Sequence, residues 1–558
     1  MAVSYSNPGT GQVIQQVDLD HNLKKRRPRS LGSEARHHKL RQRRRLPSGG
    51  IGLFLASFTL FLASSYVVAF QFKFALGDAM SRTYSAFTAI YAAYPHLGTV
   101  GFIWPPLLTL LQMPLVLFKP LVYYGFAGMI VTSAFGAGTL VVLERLYRHL
   151  RFPFLHRLVL AVAFALNPFI LYYSANGMSE IVFVFFFSAA LCLFVVWGGS
   201  NEWRHVAVIG VAVACAFYVR YDAMALALAM FGAILLSMRT FGEGTPQRME
   251  GVLLAYTTTV AYGVAVWIFL NWIIMRDPLY FYRSEYSNLY LTQMMRNAPD
   301  VVALRESVQA TILYTIDKTA RLSPAFVLFA ALAALSGLFL RKRMLFLTLP
   351  ISLAVPAFQV YMYRQGTTFG FDRFYISVIP ATFILYAILA GMTGRHRAFI
   401  RVPLTGILLL ALLGSTGATA YRMYQEGASS GEGIVMQAAL NWQEVNNYAL
   451  DEEVASYITS HSTGRSVLTD SAYADRIVLF TQDPRLFVHT SDPDFKEILQ
   501  NPAGKIDYIL ALSPEFMGFN AVAEQYPYLW ERGTSFTRLE KDFGMYRLYR
   551  VLPTDAAR

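Results

Sequence analysis

The sequence predicts an α-helical polytopic membrane protein of about eleven transmembrane helices, followed by a C-terminal α/β domain outside the bilayer. Three observations predict it. Of 558 residues, 55% are hydrophobic and only 15% charged, whereas a soluble globular chain carries about 25% charged residues. The apolar residues gather into runs approaching the ~20 that a helix needs to cross the hydrocarbon core. The net charge of +13 is concentrated in an N-terminal tail and in short connecting loops. This composition excludes a soluble enzyme, collagen, a coiled coil and intrinsic disorder. It also excludes a disulfide scaffold, because Cys192 and Cys215 are the only cysteines and both lie inside apolar runs. They read as small packing or lipid-facing residues rather than as metal or redox groups.

Residues 1–50 hold eleven Lys and Arg against Asp18, Asp20 and Glu34, with no apolar periodicity. They read as a disordered basic tail on the cytosolic side, touching anionic headgroups rather than nucleic acid. The apolar run from Ile51 lies too far along the chain, and is too long, for a cleavable signal peptide. The predicted spans are Ile51–Phe70, Leu121–Val142, Leu158–Tyr173, Ile181–Trp197, Val206–Val219, Ala223–Leu236, Leu253–Ile274, Pro324–Leu340, Met344–Tyr361, Phe374–Ala390 and Val402–Ala420. With the N-terminus inside, the cytosolic loops are Glu144–Arg157, Gly198–His205, Arg239–Glu250, Arg341–Arg343 and Gly391–Arg401. All five contain arginine, as the positive-inside rule requires. An odd number of spans then places the C-terminal domain on the opposite, extracytoplasmic face.

Two outward stretches are more than connectors. The loop from Gln71 to Pro120 carries the aromatic-rich segment Tyr84–Tyr94 and the apolar segment Leu107–Phe118. Both are too short to span and read as amphipathic helices lying in the interface. The stretch Arg276–Arg321 is rich in Tyr and Arg, and Tyr280, Phe281, Tyr282, Tyr286 and Tyr290 read as an interfacial aromatic belt.

From about Glu426 the charge becomes mixed and no spanning run remains, so the chain divides into a tail (1–50), a membrane domain (51–425) and an α/β domain (426–558). Val454–Ser460 suits a helix, Ile477–Phe480 the end of another. Ser466–Thr469, Leu486–Thr490, Ile506–Leu512 and Met545–Val551 suit strands. No Gly-rich phosphate-binding fingerprint is present. The domain reads as a cap that orients the membrane part.

An ionisable group at the membrane surface of an apolar protein is a functional candidate. Asp78, just past the first span, is the only carboxylate between Glu34 and Glu144. One reading is a helix N-cap for the segment that follows. The other is a general base that takes a proton from an incoming hydroxyl. Arg82, four residues on, shares a helical face with it and suits an anionic leaving group. His96 reads as a loop histidine with a sugar or phosphate contact as alternative. Glu180 and Asp222 read as helix-end caps or partners of Arg220. Arg276, Arg283 and Arg364 suit either headgroups or a carrier phosphate.

In this order the motifs resemble the integral-membrane glycosyltransferases of the GT-C fold, and more nearly the protein O-mannosyltransferases and lipid A aminoarabinose transferases (family 39-like). The pieces are the first-loop acid Asp78, Trp104-Pro-Pro-Leu107, Asn167–Glu180, Arg220-Tyr-Asp222, Asn271-Trp272, Asp277–Phe281 and Asp372-Arg-Phe-Tyr375. The resemblance covers roughly residues 51–420. It implies transfer of a sugar from a polyprenyl-phosphate-linked donor to an acceptor hydroxyl on a glycan, lipid or protein at the outer face. The family's base carries over to Asp78, and its phosphate-holding arginines to Arg82 and Arg373. Many relatives have Asp-Glu where this chain has Asp78-Ala79, so no cofactor is expected, with a divalent metal as the alternative. Many have His or Lys where this chain has Trp104, which changes a substrate contact. Short loops and a small outward domain fit a bacterial cell membrane. The rival reading is a transporter or flippase of a lipid-linked glycan, which needs polar groups in mid-span.

Overall fold

The computed structural model describes residues 48–241, 245–339, 342–393, 398–515 and 518–553. The basic tail expected over 1–50 lies almost wholly outside the described residues.

The chain begins with α1 (Ser48–Tyr66), which ends in a π turn (Val67–Gln71). Then come α2 (Gly77–Tyr91), α3 (Leu107–Val116), α4 (Phe126–His149), α5 (Phe154–Ala165), α6 (Pro168–Ala175), α7 (Glu180–Ser200), α8 (Trp203–Phe217), α9 (Ala223–Phe241) and α10 (Pro246–Met275). Four short or amphipathic helices follow: α11 (Tyr280–Arg283), α12 (Asn288–Met295), α13 (Pro299–Glu306) and α14 (Val308–Leu322). The apolar helices α15 (Pro324–Phe339), α16 (Arg343–Gln365), α17 (Val378–Thr393) and α18 (Ala398–Glu426) complete the bundle.

Among the described residues, seven helices (α1, α4, α7, α10, α16, α17 and α18, some with a flanking turn) are long and apolar enough to cross a membrane. Two further pairs are apolar and long enough only when taken together across a bend, α5 with α6 at 63° and α14 with α15 at 114°. The two remaining expected spans are α8 and the apolar part of α9 (Ala223–Arg239), which are shorter apolar helices. The chain is thus a polytopic membrane protein in which seven of the eleven expected spans are long helices, two fall in bent pairs and two are shorter helices. The bends have local causes. At the first, Pro168 opens α6 and the side chain of Asn167 accepts from the backbone N–H of Ile170 at 3.3 Å, which satisfies a donor that the break would strand. At the second, Ser323 precedes Pro324, and its hydroxyl lies 2.9 Å from that of Thr382.

Large apolar side chains stand exposed around the bundle, among them Leu228, Tyr262, Phe339 and Leu410. Water would oppose such a surface, and lipid does not. Inside α1, the hydroxyls of Ser57 and Ser65 donate to the carbonyls four residues back at 2.7 and 2.9 Å, so neither is left unsatisfied in an apolar setting. The two expected interfacial helices are α2 and α3, held together by Thr83 Oγ1 donating to Gln112 Oε1 at 2.7 Å.

After α19 (Gly431–Asn441) and α20 (Ala449–His461), helices α21 (Ser471–Thr481), α22 (Phe495–Gln500), α23 (Ala521–Gln525) and α24 (Leu529–Arg532) alternate with a five-stranded mixed sheet. Its strands are β1 (Val467–Leu468), β2 (Phe487–Val488), β3 (Tyr508–Leu512), β4 (Thr537–Asp542) and β5 (Tyr546–Val551), in the order β2-β1-β3-β5-β4. β1 pairs in parallel with β2 and β3, and β5 antiparallel with β3 and β4. Four strands fall where apolar runs predict them. β4 was not expected: Arg538, Glu540, Lys541 and Asp542 make it charged on both faces, which suits an edge strand that must not recruit another chain.

Candidate active site

Asp78 sits in the first turn of α2, where the helix dipole favours negative charge. Its carboxylate is 44% exposed, and its Oδ2 lies 2.9 Å from Nη2 of Arg373. Arg373 comes from the 3-10 turn Asp372–Tyr375 that leads into α17. Its neighbour Asp372 is tied to Lys318 of α14 by an ion pair, which fixes the turn from the other side.

The same guanidinium reaches a second carboxylate. Nε of Arg373 stands 3.6 Å from Oε1 of Glu180, and Nη1 of Arg220 donates to that oxygen at 2.7 Å. Arg220 Nε then donates to Asp222 at 2.7 Å, and the far oxygen of Asp222 accepts from Gln359 at 3.2 Å. The result is a continuous line of charge from the exposed Asp78 to the buried Gln359. Glu180 is almost wholly buried and occupies the first turn of α7. The turn before it delivers it there. Asn176 Oδ1 accepts from the N–H of Met178, and Gly177 adopts φ +78°, with room for a Cβ only 3.4 Å from that of Ala79. Glycine supplies the left-handed φ that this turn needs beside the start of α2.

Arg82 completes the cluster in a different way. It is buried under Trp104, whose ring lies 5.0 Å from the guanidinium carbon, and it donates one long bond, 3.4 Å, to the carbonyl of Pro105. It makes no ion pair among the described residues, and its Nε has no partner. Burial pushes its pKa down to about 10, against the attraction of Asp78 and Glu180, so it stays charged at neutral pH. The Trp104 loop is held close by Tyr221, whose hydroxyl donates to the carbonyl of Ile103 at 3.0 Å. Aromatic rings face the other two cations as well: Phe374 beneath Arg220 and Phe371 beneath Arg373.

Among the described residues, Glu180 Oε2 and Arg82 Nε are buried here without a hydrogen-bond partner, and Arg373 Nε has only the 3.6 Å ion pair with Glu180. Tyr172 is close enough to feel the charges of Arg373 and Glu180. Orphaned buried donors and acceptors are costly and rare, and a cluster of them marks where water or a polar ligand belongs.

Of the expected site residues, the fold brings Asp78, Arg82, Trp104 and Arg373 together. Arg364 is engaged elsewhere, and among the described residues His96 makes no hydrogen bond or ion pair with the charge line. Arg364 donates to the carbonyl of Arg305, bracing α16 against α13. His96 precedes a 3-10 turn and takes the Thr99 hydroxyl on its carbonyl at 2.7 Å, while its buried Nε2 has no hydrogen-bond partner among the described residues. Arg283 pairs at 3.4 Å with Asp277 on the exposed surface. The tyrosines expected as a belt divide. Phe281 stacks on Tyr221 at 5.3 Å, and Tyr286 donates to Asp470 of the C-terminal segment at 2.9 Å. Glu180, Arg220 and Asp222 read in sequence as helix-end caps or a local pair; the fold makes them the centre of the charge line. Gln359 lies inside an apolar helix and gave no signal of its own beyond being an amide in a span.

Among the described residues no group of three or more His, Cys, Asp or Glu is arranged to hold a metal ion. No protein-family profile and no curated protein matches the sequence. Solved structures do match the fold. ArnT from Cupriavidus metallidurans bound to undecaprenyl phosphate superposes with a TM-score of 0.55 at 13% identity, over 90% of this chain and 98% of that one. The apo state of ArnT from the same organism gives 0.53 at 13% identity, with the same coverage. The likeness runs through both the helical bundle and the C-terminal segment, and the chain is a multi-pass membrane protein of the GT-C fold.

Proposed function

We propose that the protein is a glycosyltransferase that moves a sugar from a polyprenyl-phosphate-linked donor to an acceptor hydroxyl, with Asp78 as the general base. The observation that carries this reading is the pairing of an accessible carboxylate with a buried, unpaired cation on one helical face. Asp78 and Arg82 are four residues apart on α2 and so lie on the same side. Arg373 orients the carboxylate and Trp104 covers the guanidinium. The ArnT structure with bound undecaprenyl phosphate supports a carrier of this class.

The acceptor hydroxyl gives its proton to the Asp78 carboxylate while its oxygen attacks the anomeric carbon. The bond from that carbon to the phosphate oxygen breaks, and the carrier leaves as polyprenyl phosphate with the bonding electrons. A phosphate needs no protonating acid, so one base suffices, unlike the paired carboxylates of glycoside hydrolases. Arg82 and Arg373 stabilise the charge that develops on the leaving phosphate. In this reading the reaction is direct displacement with inversion and uses no metal, and transfer survives chelation with EDTA. The acceptor is a glycan, lipid or protein presented at the extracytoplasmic face of a bacterial cell membrane, where the C-terminal α/β domain also lies.

The test is incubation of purified protein with radiolabelled polyprenyl-phosphate sugars, wild type beside Asp78→Asn. Transfer or slow donor hydrolysis by wild type, reduced about 10²–10⁴-fold in the variant, is the expected result. Equal blanks for both proteins with every donor would overturn the reading.

A further inference from the structure

The segment that carries the chain from α1 to Asp78 makes few regular bonds of its own. Its carbonyls are taken by residues far along the sequence. The backbone N–H groups of Val445 and Asn446 both donate to Phe72 O, at 2.9 and 3.1 Å, and that of Asn447 to Lys73 O at 3.1 Å. The side chain of Asn447 then closes on Ala75 from both sides. Its Oδ1 accepts from the Ala75 N–H at 3.3 Å and its Nδ2 donates to the Ala75 carbonyl at 2.9 Å. Ala75 is three residues before Asp78.

A second set of contacts holds α2 beyond the acid. Ser81 donates to Asp475 of α21, and Tyr84 bonds to Nδ1 of the buried His489 at 2.8 Å. Ser81 and Tyr84 are three apart and face the C-terminal segment; Asp78 and Arg82 are four apart and face the charge line. The exposed pair Lys73–Glu444 at 3.0 Å lies at the same junction.

We infer that Asn447 is a positioning residue for the reaction: by gripping both main-chain groups of Ala75 it sets where α2 starts, and so where the Asp78 carboxylate stands relative to the donor. This rests on Asp78 being the base. Phe72 and Phe74 bond back to Val67 and Val68 at the end of α1, but the side-chain grip on Ala75, the residue nearer to α2, comes from Asn447. An amide that satisfies one donor and one acceptor of the same residue imitates a strand pair and allows little rotation. A displacement of about 1 Å at a reacting group costs on the order of 10²-fold in rate.

The experiment uses the full-length protein in lipid nanodiscs, with Asn447→Ala, the near-isosteric Asn447→Asp, which keeps the acceptor and loses the donor, and Ser81→Ala. Hydrogen exchange without substrate is read over residues 72–85 and, as a control, over β3. The expected result is at least about tenfold faster exchange in 72–85 for Asn447→Ala with β3 unchanged, and a smaller effect for Asn447→Asp. Turnover of a radiolabelled polyprenyl-phosphate sugar should show kcat lowered roughly 10- to 100-fold, with KM for the donor within about threefold. Unchanged exchange in 72–85, or loss of protection in β3 as well, would overturn the inference. So would faster exchange with full kcat. If wild type turns over no donor, the transferase reading falls, while the exchange result alone still decides whether Asn447 holds α2.

Discussion

Arg373 and Asp78 stand 295 residues apart in sequence and 2.9 Å apart in space. One comes from the turn before a late span and the other from the first turn after an early one, so the contact closes the helical bundle around the site. The same guanidinium lies 3.6 Å from Glu180, which makes Arg373 a bridge between an exposed carboxylate and a buried one.

Arg373→Lys is therefore expected to behave as a loss rather than a conservative change. A lysine ammonium holds its three donors on one nitrogen and cannot reach Asp78 and Glu180 from the two separate nitrogens, Nη2 and Nε, that the guanidinium uses. Donor turnover should fall at least about tenfold in kcat/KM, which corresponds to about 1.4 kcal/mol of transition-state stabilisation. Steady-state kinetics on the purified variant checks this.

Arg220→Met tests the buried half of the charge line. Removing this guanidinium strands Glu180 and Asp222 in a site where both are largely buried. Breaking a buried pair by deleting one partner costs about 3–5 kcal/mol. The thermal midpoint should drop, and Arg220→Met combined with Glu180→Gln should recover part of the loss.

Arg82→Met should separate stability from function. The guanidinium is buried without an ion pair among the described residues, and burial, helped by the charge of Arg220, pushes its pKa down, so its charge weighs against the fold. A methionine fills the space under Trp104 without that charge. The variant is expected to melt at the same or a higher temperature while losing most donor turnover, as happens where a site is kept at the expense of stability.

Asp475 gives a dependence on pH. Burial raises its pKa from 3.8 to about 6, against the nearby Arg476 and the Ser81 hydrogen bond. The folded chain thus holds this proton more tightly than the unfolded chain. Below about pH 4 both states are protonated there. Between about 4 and 6 the unfolded chain has released the proton and the folded chain has not, so stability falls as pH rises; above about 6 the difference is constant. Relative to Asp475→Asn, wild type should lose on the order of 2–3 kcal/mol across that window. Thermal unfolding of both proteins from pH 4 to pH 8 reads the gap directly.

Much of the architecture was legible because the bilayer imposes a length and a polarity on each crossing. The apolar runs located the apolar helices of the bundle but not α11–α14, whose residues carry no continuous apolar run, and α2 and α3 showed themselves as segments too short to span. The bend at Asn167-Pro168 was hidden because a proline within an apolar run reports a break but not its angle, and that at Ser323-Pro324 because α14 before it is amphipathic and reads as part of a loop. β4 was missed because its residues alternate no apolar face, and its place at the sheet edge is decided by β5. Tyr286 read as a belt residue, because its partner Asp470 is 184 residues away and no local pattern announces it.

Sequence alone determined that this chain lives in a membrane, roughly where it crosses, and that Asp78 is a solitary acid beside the first crossing. These follow from composition and spacing, which are local properties. Only the tertiary structure decided which cations meet that acid, that Glu180, Arg220 and Asp222 form one line with it, and that Asn447 grips the segment before it. Those are contacts between residues tens to hundreds of positions apart, and they exist only once packing has brought the helix ends to a common place.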